Sequence, residues 1–382
     1  MPASLVALCF GNFIIGTGTL IVPGMLPMLS EGLGVSLPVG GQLISAFAFT
    51  VCLSAPLLAG ATSRFDRRKL LVSMQLLYVA GHLAAALLSA FLPMLLTRVA
   101  TSFGAALFTA QAAATAALLV PPEKRGRAIA FVFLGWAISS VIGVSLGAYI
   151  AAKVGWRFGF LLVAAGAAIA ALGVWRYVPA GLRIQPVDRR MWGAILGNRA
   201  LLTVVGVTFL MSAPQFVILA YIVPATIAFL HVSPEALGLI LAGFGAVGVL
   251  GNVLSARFVD RLGAQNVVMA AMLSMLFAHL LWPWSAGSLA LFLVVLFFWG
   301  LGTFAANSAQ QARLAALAPQ QASVSVALNS SALYLGQAVG PAIGGLVLAR
   351  VEGVAAYQAL VAVSVPLFLA AIAVSALTRA RR

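Results

Sequence analysis

Residues 60–69 read Gly60-Ala-Thr-Ser-Arg-Phe-Asp-Arg-Arg-Lys69, and residues 256–263 read Ala256-Arg-Phe-Val-Asp-Arg-Leu-Gly263. Each stretch packs Arg and Asp into a short turn between two long apolar runs, in a chain that otherwise avoids charge. A charged turn at the same place in both halves points to a duplicated membrane protein with both turns on one side.

Composition agrees. Of 382 residues, 63% are hydrophobic and 8% are charged, where a soluble domain carries about 25% charge and roughly half apolar residues. The mean hydropathy is +1.11. So few polar side chains cannot cover a water-exposed surface, and lipid must solvate most of it. The net charge of +15 is not arranged as a basic stripe with interleaved aromatics, which argues against nucleic acid. Cys9 and Cys52 both lie in apolar runs and form neither a disulfide framework nor a metal pattern. No metal or cofactor is expected. The first apolar run lacks a basic leader and continues past Pro23 and Pro27, so it reads as a full span and not as a cleaved signal.

Crossing ~30 Å of hydrocarbon takes roughly 20 apolar residues. On that basis the chain holds twelve runs, about 3–29, 39–61, 70–91, 93–120, 128–152, 158–178, 200–229, 236–256, 266–284, 288–317, 323–349 and 355–377. The organisation expected is a six-helix half over 1–178, a linker over 179–199, a second six-helix half over 200–378 and a basic tail over 379–382. Lys and Arg then fall 18 on one side and 3 on the other (Lys153, Arg157, Arg350), with Arg98 inside a run. The positive-inside rule places the heavier side, with both termini and the linker, in the cytoplasm of an inner-membrane, multi-pass protein.

The halves align near an offset of 197 residues: Pro27 meets Pro224, Val35-Ser36 meets Val232-Ser233, Gly41 meets Gly238 and Phe47 meets Phe244. Ser36 and Ser233 stand where a helix N-cap is expected, and Pro234 suits a first helical turn. The fifth run carries Gly143 and Gly147; the eleventh carries Gly336, Gly340, Pro341, Gly344 and Gly345. Small residues four apart let helices approach closely in lipid, and Pro341 marks a bend. These positions read equally well as ordinary packing and as part of a transport movement.

Across its whole length the chain resembles the major facilitator superfamily, and within it the bacterial drug- and sugar-efflux (proton antiporter) branch. The family's signature turn, Gly-x-Leu-Ala-Asp-Arg-x-Gly-Arg-Arg, is matched by Val259-Asp260-Arg261-Leu262-Gly263. The earlier copy keeps Gly60 and the basic pair Arg68-Lys69, but Arg64 stands where the family has Asp, and Asp66 comes two residues later. Thr97-Arg98 with Gly104 resembles the fourth-helix motif. Gly143 and Gly147, followed by Gly155-Trp156-Arg157, resemble the antiporter motif, with Ser145 replacing its Pro. Gly16-Thr17-Gly18-Thr19 and Leu26-Pro27 resemble the efflux branch, with Thr19 in place of an acid. The resemblance implies an all-α integral membrane protein of twelve transmembrane helices in two six-helix pseudo-repeats. It further implies a substrate site near the midplane, reached by alternating access.

No nucleophile elbow, phosphate loop or metal spacing is present, so no catalytic residue is assigned and an enzyme is not expected. The seven acids, Glu31, Asp66, Glu123, Asp188, Glu235, Asp260 and Glu352, all fall in turns or at predicted helix ends. A proton-coupled carrier commonly titrates a group within the membrane. Without a mid-span carboxylate, coupling would fall to His82 or His279, to an acid at a helix mouth such as Glu31 or Asp66, or to the substrate itself. His82 and His279 occupy comparable places 197 residues apart, on helices the fold makes peripheral, which favours a neutral structural role. Arg98 inside a span costs about 2.5–3.5 kcal/mol on insertion scales and should face the bundle or snorkel to the interface. Mid-span polar residues complete the cavity candidates: Thr19, Gln111, Gln215, Asn307 and Asn329, with Arg98. Interhelical bonding is the alternative for each.

Such a cavity suits a neutral or weakly polar small molecule. Asp66-Arg67 and Asp260-Arg261 are read as a gate. In this fold Asp66 would lie near the start of the eleventh run, by Ser323, and Asp260 near the start of the fifth. The expected function is export of a drug-like, sugar or nucleoside-like solute by proton antiport. A proton-independent facilitator of the same fold and a non-transporting sensor or assembly protein are the alternatives. The partners expected are the substrate, protons and the bilayer, with the chain a monomer.

Overall fold

The computed structural model describes residues 2–62, 64–183, 197–317 and 322–380. Most of the 179–199 linker, with Asp188, Arg189 and Arg190, lies outside the described residues, as do Arg381 and Arg382 of the tail. The described chain is helical without strands. In order the helices are α1 (Ala3–Gly32), α2 (Leu37–Ala61), α3 (Arg67–Leu87), α4 (Phe91–Leu118), α5 (Arg125–Val154) and α6 (Trp156–Tyr177). After the linker come α7 (Arg199–Leu219), α8 (Ile222–Leu230), α9 (Pro234–Leu262), α10 (Ala264–Leu281), α11 (Leu289–Leu317), α12 (Ala322–Leu348), α13 (Gly353–Ala359) and α14 (Val361–Ala380). Among the described residues, twelve segments are long and apolar enough to cross a membrane.

Caps set several starts. Ser233 Oγ accepts the Ala236 N–H at 3.3 Å ahead of Pro234, and Asn198 Oδ1 accepts the Leu201 N–H at 3.1 Å. Asp66 does the same for α3 through the Lys69 N–H at 2.9 Å. The seventh apolar run, expected as one helix over 200–229, is two, α7 and α8, with a break at Ala220–Tyr221. Pro224 explains it: the ring has no N–H for the Ala220 carbonyl and collides with it in a continuous helix. The twelfth run is likewise interrupted at Leu360. At the turn between α9 and α10, Gly263 adopts φ +80°, a region that side chains other than glycine rarely enter.

The described residues pack as two compact units, one drawn from Met1–Ser36 and Leu53–Val187, the other from Leu37–Cys52 and Asp188–Arg382, so that α2 divides between them. The units repeat one pairing scheme. In the first, α1 lies along α5 and α6, and α3 along α4 and α6. In the second, α7 lies along α12 and α14, and α10 along α11 and α14. The α1–α5 and α7–α12 seams carry the small residues. A Cβ on Gly147 would stand 2.5 Å from the Ile21 carbonyl oxygen, and one on Gly340 2.7 Å from that of Ala213. At Gly143 it would meet Leu20 Cβ at 2.9 Å, and at Gly336 Ser212 Cβ at 2.5 Å. Helices this close gain dispersion contacts that lipid tails do not supply. Pro341 sits inside α12, and its carbonyl accepts the Tyr221 hydroxyl at 2.8 Å.

Candidate functional site

Arg98 lies on α4 with 2% of its surface exposed. Its Nη1 donates to the Gly18 carbonyl of α1 at 3.2 Å, so the guanidinium is buried against a neighbouring helix. Gly18 also lets Tyr78 and His82 of α3 come close, since a Cβ there would come within 2.5 Å of the Tyr78 hydroxyl and 2.9 Å of His82 Nε2. Tyr78 donates to the Ile15 carbonyl at 3.0 Å, and its ring stands 4.2 Å from that of His82. His82 Nδ1 lies 2.8 Å from the Tyr78 carbonyl, and a carbonyl only accepts, so Nδ1 carries the proton. His82 Nε2 is buried without a hydrogen-bond partner among the described residues. Thr19, one helical turn past Ile15, donates to that same carbonyl at 2.9 Å. Residues 15–19 of α1 are therefore ringed by Tyr78, His82 and Arg98. Tyr78 was not among the sequence candidates, although it lies one helical turn before His82 and shares its face.

Gln111 belongs elsewhere. Its Oε1 accepts from Arg67 Nη1 at 2.5 Å, while Arg67 Nη2 reaches the Thr62 carbonyl at 2.6 Å. Arg67 is fully buried. The structure thus joins a residue expected to gate to one expected to line a cavity. Gln215 is buried on α7 and donates to its own helix, at the Met211 carbonyl, at 2.9 Å.

Asn307 and Asn329 form part of a three-helix junction. Thr208 of α7 donates to Asn329 Oδ1 at 2.5 Å, and Asn329 Nδ2 donates to Asn307 Oδ1 at 3.4 Å. The first unit has the counterpart. Thr109 of α4 donates to Asn12 Oδ1 at 2.8 Å, and Asn12 Nδ2 donates to the Val132 carbonyl of α5 at 3.1 Å. Thr109 and Asn307 are 198 residues apart, and Val132 and Asn329 are 197 apart, so the internal repeat was the signal that could have found Thr109. The other paired histidine also follows its counterpart: His279 is buried, with Nδ1 3.3 Å from the Met275 carbonyl and its ring 4.9 Å from Trp299.

The charged turns differ. Asp66 accepts from the Lys69 N–H and from the Gly181 N–H just beyond α6. Alongside, the Arg67 N–H donates to the Leu182 carbonyl at 2.9 Å, and the Arg68 guanidinium stacks 4.5 Å over Trp175. Burial alone would raise the Asp66 carboxyl. The two N–H donors and the charges of Arg68 and Lys69 outweigh it and hold the group below the ordinary carboxylate value. Asp260 and Arg261 end α9 exposed. Among the described residues, no cluster of His, Cys, Asp and Glu could hold a metal ion.

Among the described residues, twelve apolar spans, paired by repeat and joined inside by amides, hydroxyls and buried arginines, define a multi-pass membrane protein. The chain belongs to the Major Facilitator Superfamily, whose sequence profile matches residues 8–227 and 204–382. It is 28% identical over 344 residues to the inner membrane transport protein YdhP of Escherichia coli K12, covering 90% of this chain and 88% of that protein. It is 29% identical over 362 residues to a chloramphenicol resistance protein of Streptomyces lividans, covering 92% and 91%. A solved bacterial homologue of the human lysosomal transporter Spinster superposes with a TM-score of 0.80 at 17% identity, over 98% of this chain and 96% of that one. The protein is a transporter and not an enzyme.

Proposed function

We propose that this transporter exports a small neutral or weakly polar organic solute by alternating access, with proton antiport as the coupling. The observation that carries the solute class is the chemistry of the buried polar groups. Apart from arginines and histidines they are amides and hydroxyls, and the six described acids all stand at helix ends. A strongly cationic solute would want a buried carboxylate. Export is supported by the Streptomyces lividans relative, named for chloramphenicol resistance. The 18-to-3 distribution of Lys and Arg supports an inner-membrane orientation with both termini cytoplasmic. Thr19, Arg98, Gln111, Gln215, Asn307 and Asn329 are proposed to serve the solute pathway, directly or by fixing the helices that form it. The gate is assigned first to Asp260 and Arg261, since Asp66 is engaged within its own unit.

The placement of the acids also favours a second reading, a facilitator of the same fold without protons. Flux of a solute panel in proteoliposomes, with and without an imposed pH gradient, separates the two. Antiport predicts uphill accumulation driven by the gradient. Flux that ignores the gradient removes the proton and leaves the facilitator. In the same assay Arg98→Ala is expected to lower transport about tenfold, equivalent to ~1.4 kcal/mol, in protein that still folds. Unchanged transport would take Arg98 out of the pathway.

A further inference from the structure

A cavity of about 400 Å³ opens where the start of α1, the end of α4 and the start of α5 meet. Pro2, Leu5, Leu119, Val120 and Pro121 give it an apolar wall, and Lys124 and Arg127 give it two cations. Its lining lies wholly in the first unit, and the transport reading does not use it. The free volume is within the ~300–1,000 Å³ range of cavities that hold small organic groups.

The charge there needs a partner. Lys124, Arg125 and Arg127 are exposed at the beginning of α5, whose first turn holds no acid, and they outnumber the one acid of the preceding turn, exposed Glu123. A helix start is already electropositive, so cations are disfavoured there and an anion is favoured. The fold does not demand them. In the internal repeat Leu119-Val-Pro-Pro-Glu-Lys-Arg corresponds to Leu317-Ala-Pro-Gln-Gln-Ala-Ser, 198 residues on, where the leucine and a proline recur and every charge is gone. The cations are thus particular to one copy, beside an apolar wall at the level where three spans end. A membrane supplies an amphiphile of that description: a phosphate at the interface with chains running along the spans.

We propose that this cavity binds one anionic phospholipid, its phosphate between Lys124 and Arg127 and an acyl chain along Leu5, Leu119 and Val120. The site is independent of the solute and of proton coupling. A free anion would use the cations and leave the apolar wall without a role. Each Lys or Arg near an anionic headgroup contributes roughly fivefold in binding, so removing both is expected to cost about thirtyfold.

The test uses the full chain purified in neutral detergent and titrated with phosphatidylglycerol or with phosphatidylcholine of the same acyl chains. Lipid occupancy is read by native mass spectrometry and the thermal midpoint in parallel. The wild-type protein should retain one phosphatidylglycerol in preference to phosphatidylcholine and gain stability from it. The double variant Lys124→Gln/Arg127→Gln should bind phosphatidylglycerol about thirtyfold more weakly. Arg64→Gln, which removes an exposed cation from another turn, should bind as wild type. Val120→Trp keeps both cations and fills the wall, and should also lose the lipid, which covers the case of a double variant that does not fold. Equal retention of the two lipids by wild type overturns the proposal. So does wild-type affinity in the double variant, or an equal loss in Arg64→Gln. Glycerol phosphate binding as tightly as the whole lipid would make this a soluble-anion site and overturn it as well.

Discussion

The two charged turns descend from one repeated motif and have come to opposite arrangements. At the first, Asp66, Arg67 and Arg68 are used locally, while Arg64 and Lys69 are exposed. Asp66 caps α3 and holds Gly181, Arg67 is buried on Gln111, and Arg68 lies over Trp175. At the second, Asp260 and Arg261 stand exposed on the last turn of α9. The helix dipole sharpens the contrast. An acid at a helix start gains about 0.3–1 kcal/mol and one at a helix end loses a similar amount. Asp66 is where a helix wants it. Asp260 is where a helix does not, and a residue kept against local stability is one whose use lies elsewhere.

The largest expected difference is at the arginines. Arg67→Met removes charged hydrogen bonds to the Gln111 side chain and the Thr62 carbonyl and leaves a buried amide oxygen unpaired, which should cost about 3 kcal/mol. Arg261→Met, at an exposed position, should stay within about 0.5 kcal/mol of wild type. Thermal midpoints of the two variants in one detergent decide it. Similar losses at both would end the distinction between an anchored turn and a free one.

Next comes the acid of the first turn. Asp66→Ala should cost about 1 kcal/mol as a lost N-cap. The carboxyl is held below its ordinary value in the folded protein, so its contribution is complete above the unfolded value near pH 4 and fades as pH falls through the folded one. Wild type and variant should therefore differ in stability at neutral pH and converge in acid below about pH 4. A difference that persists there would mean that something other than the carboxylate holds the turn. Smaller again is Trp175→Leu, which removes the cation–π contact of Arg68 and should cost about 0.5–1 kcal/mol. Half of the ring is buried, so raised salt should weaken the effect less than it would a surface ion pair.

Much of this contrast could not be read from the chain. The spans were legible because hydrocarbon thickness dictates their length and lipid dictates their composition, and the duplication because its prolines, serines and glycines recur at one offset. The break at Ala220–Tyr221 was foreseeable in principle, since Pro224 denies Ala220 its helical partner. Side-chain partners were not legible. Gln111 could have faced a solute or an arginine with equal right, and only the three-dimensional register of α3 against α4 brings Arg67 to it. Thr19 and Gln215 turn to carbonyls four residues back on their own helices, a choice of rotamer that spacing does not encode. Tyr78 was hidden because a tyrosine in an apolar run reads as bulk, and its bond to Ile15 depends on where α1 passes. The anchoring of the first turn was concealed because Gly181 lies 115 residues beyond Asp66.

The smallest effect on stability bears most on the proposed gate. Asp260→Asn removes an acid from the end of α9, and relief from the dipole should raise stability by a few tenths of a kcal/mol. The same substitution should shift the transporter toward accessibility from the cytoplasmic side, if the carboxylate holds that side shut. Cysteine labelling of positions on either face, in the variant and in wild type, measures the shift, and Asp66→Asn is the control. A gate that rests on the second turn predicts a larger change from Asp260→Asn than from Asp66→Asn, in the reverse order to their effects on stability. Equal shifts would return both turns to the same role, and no shift in either would leave the exposed charges to setting topology alone.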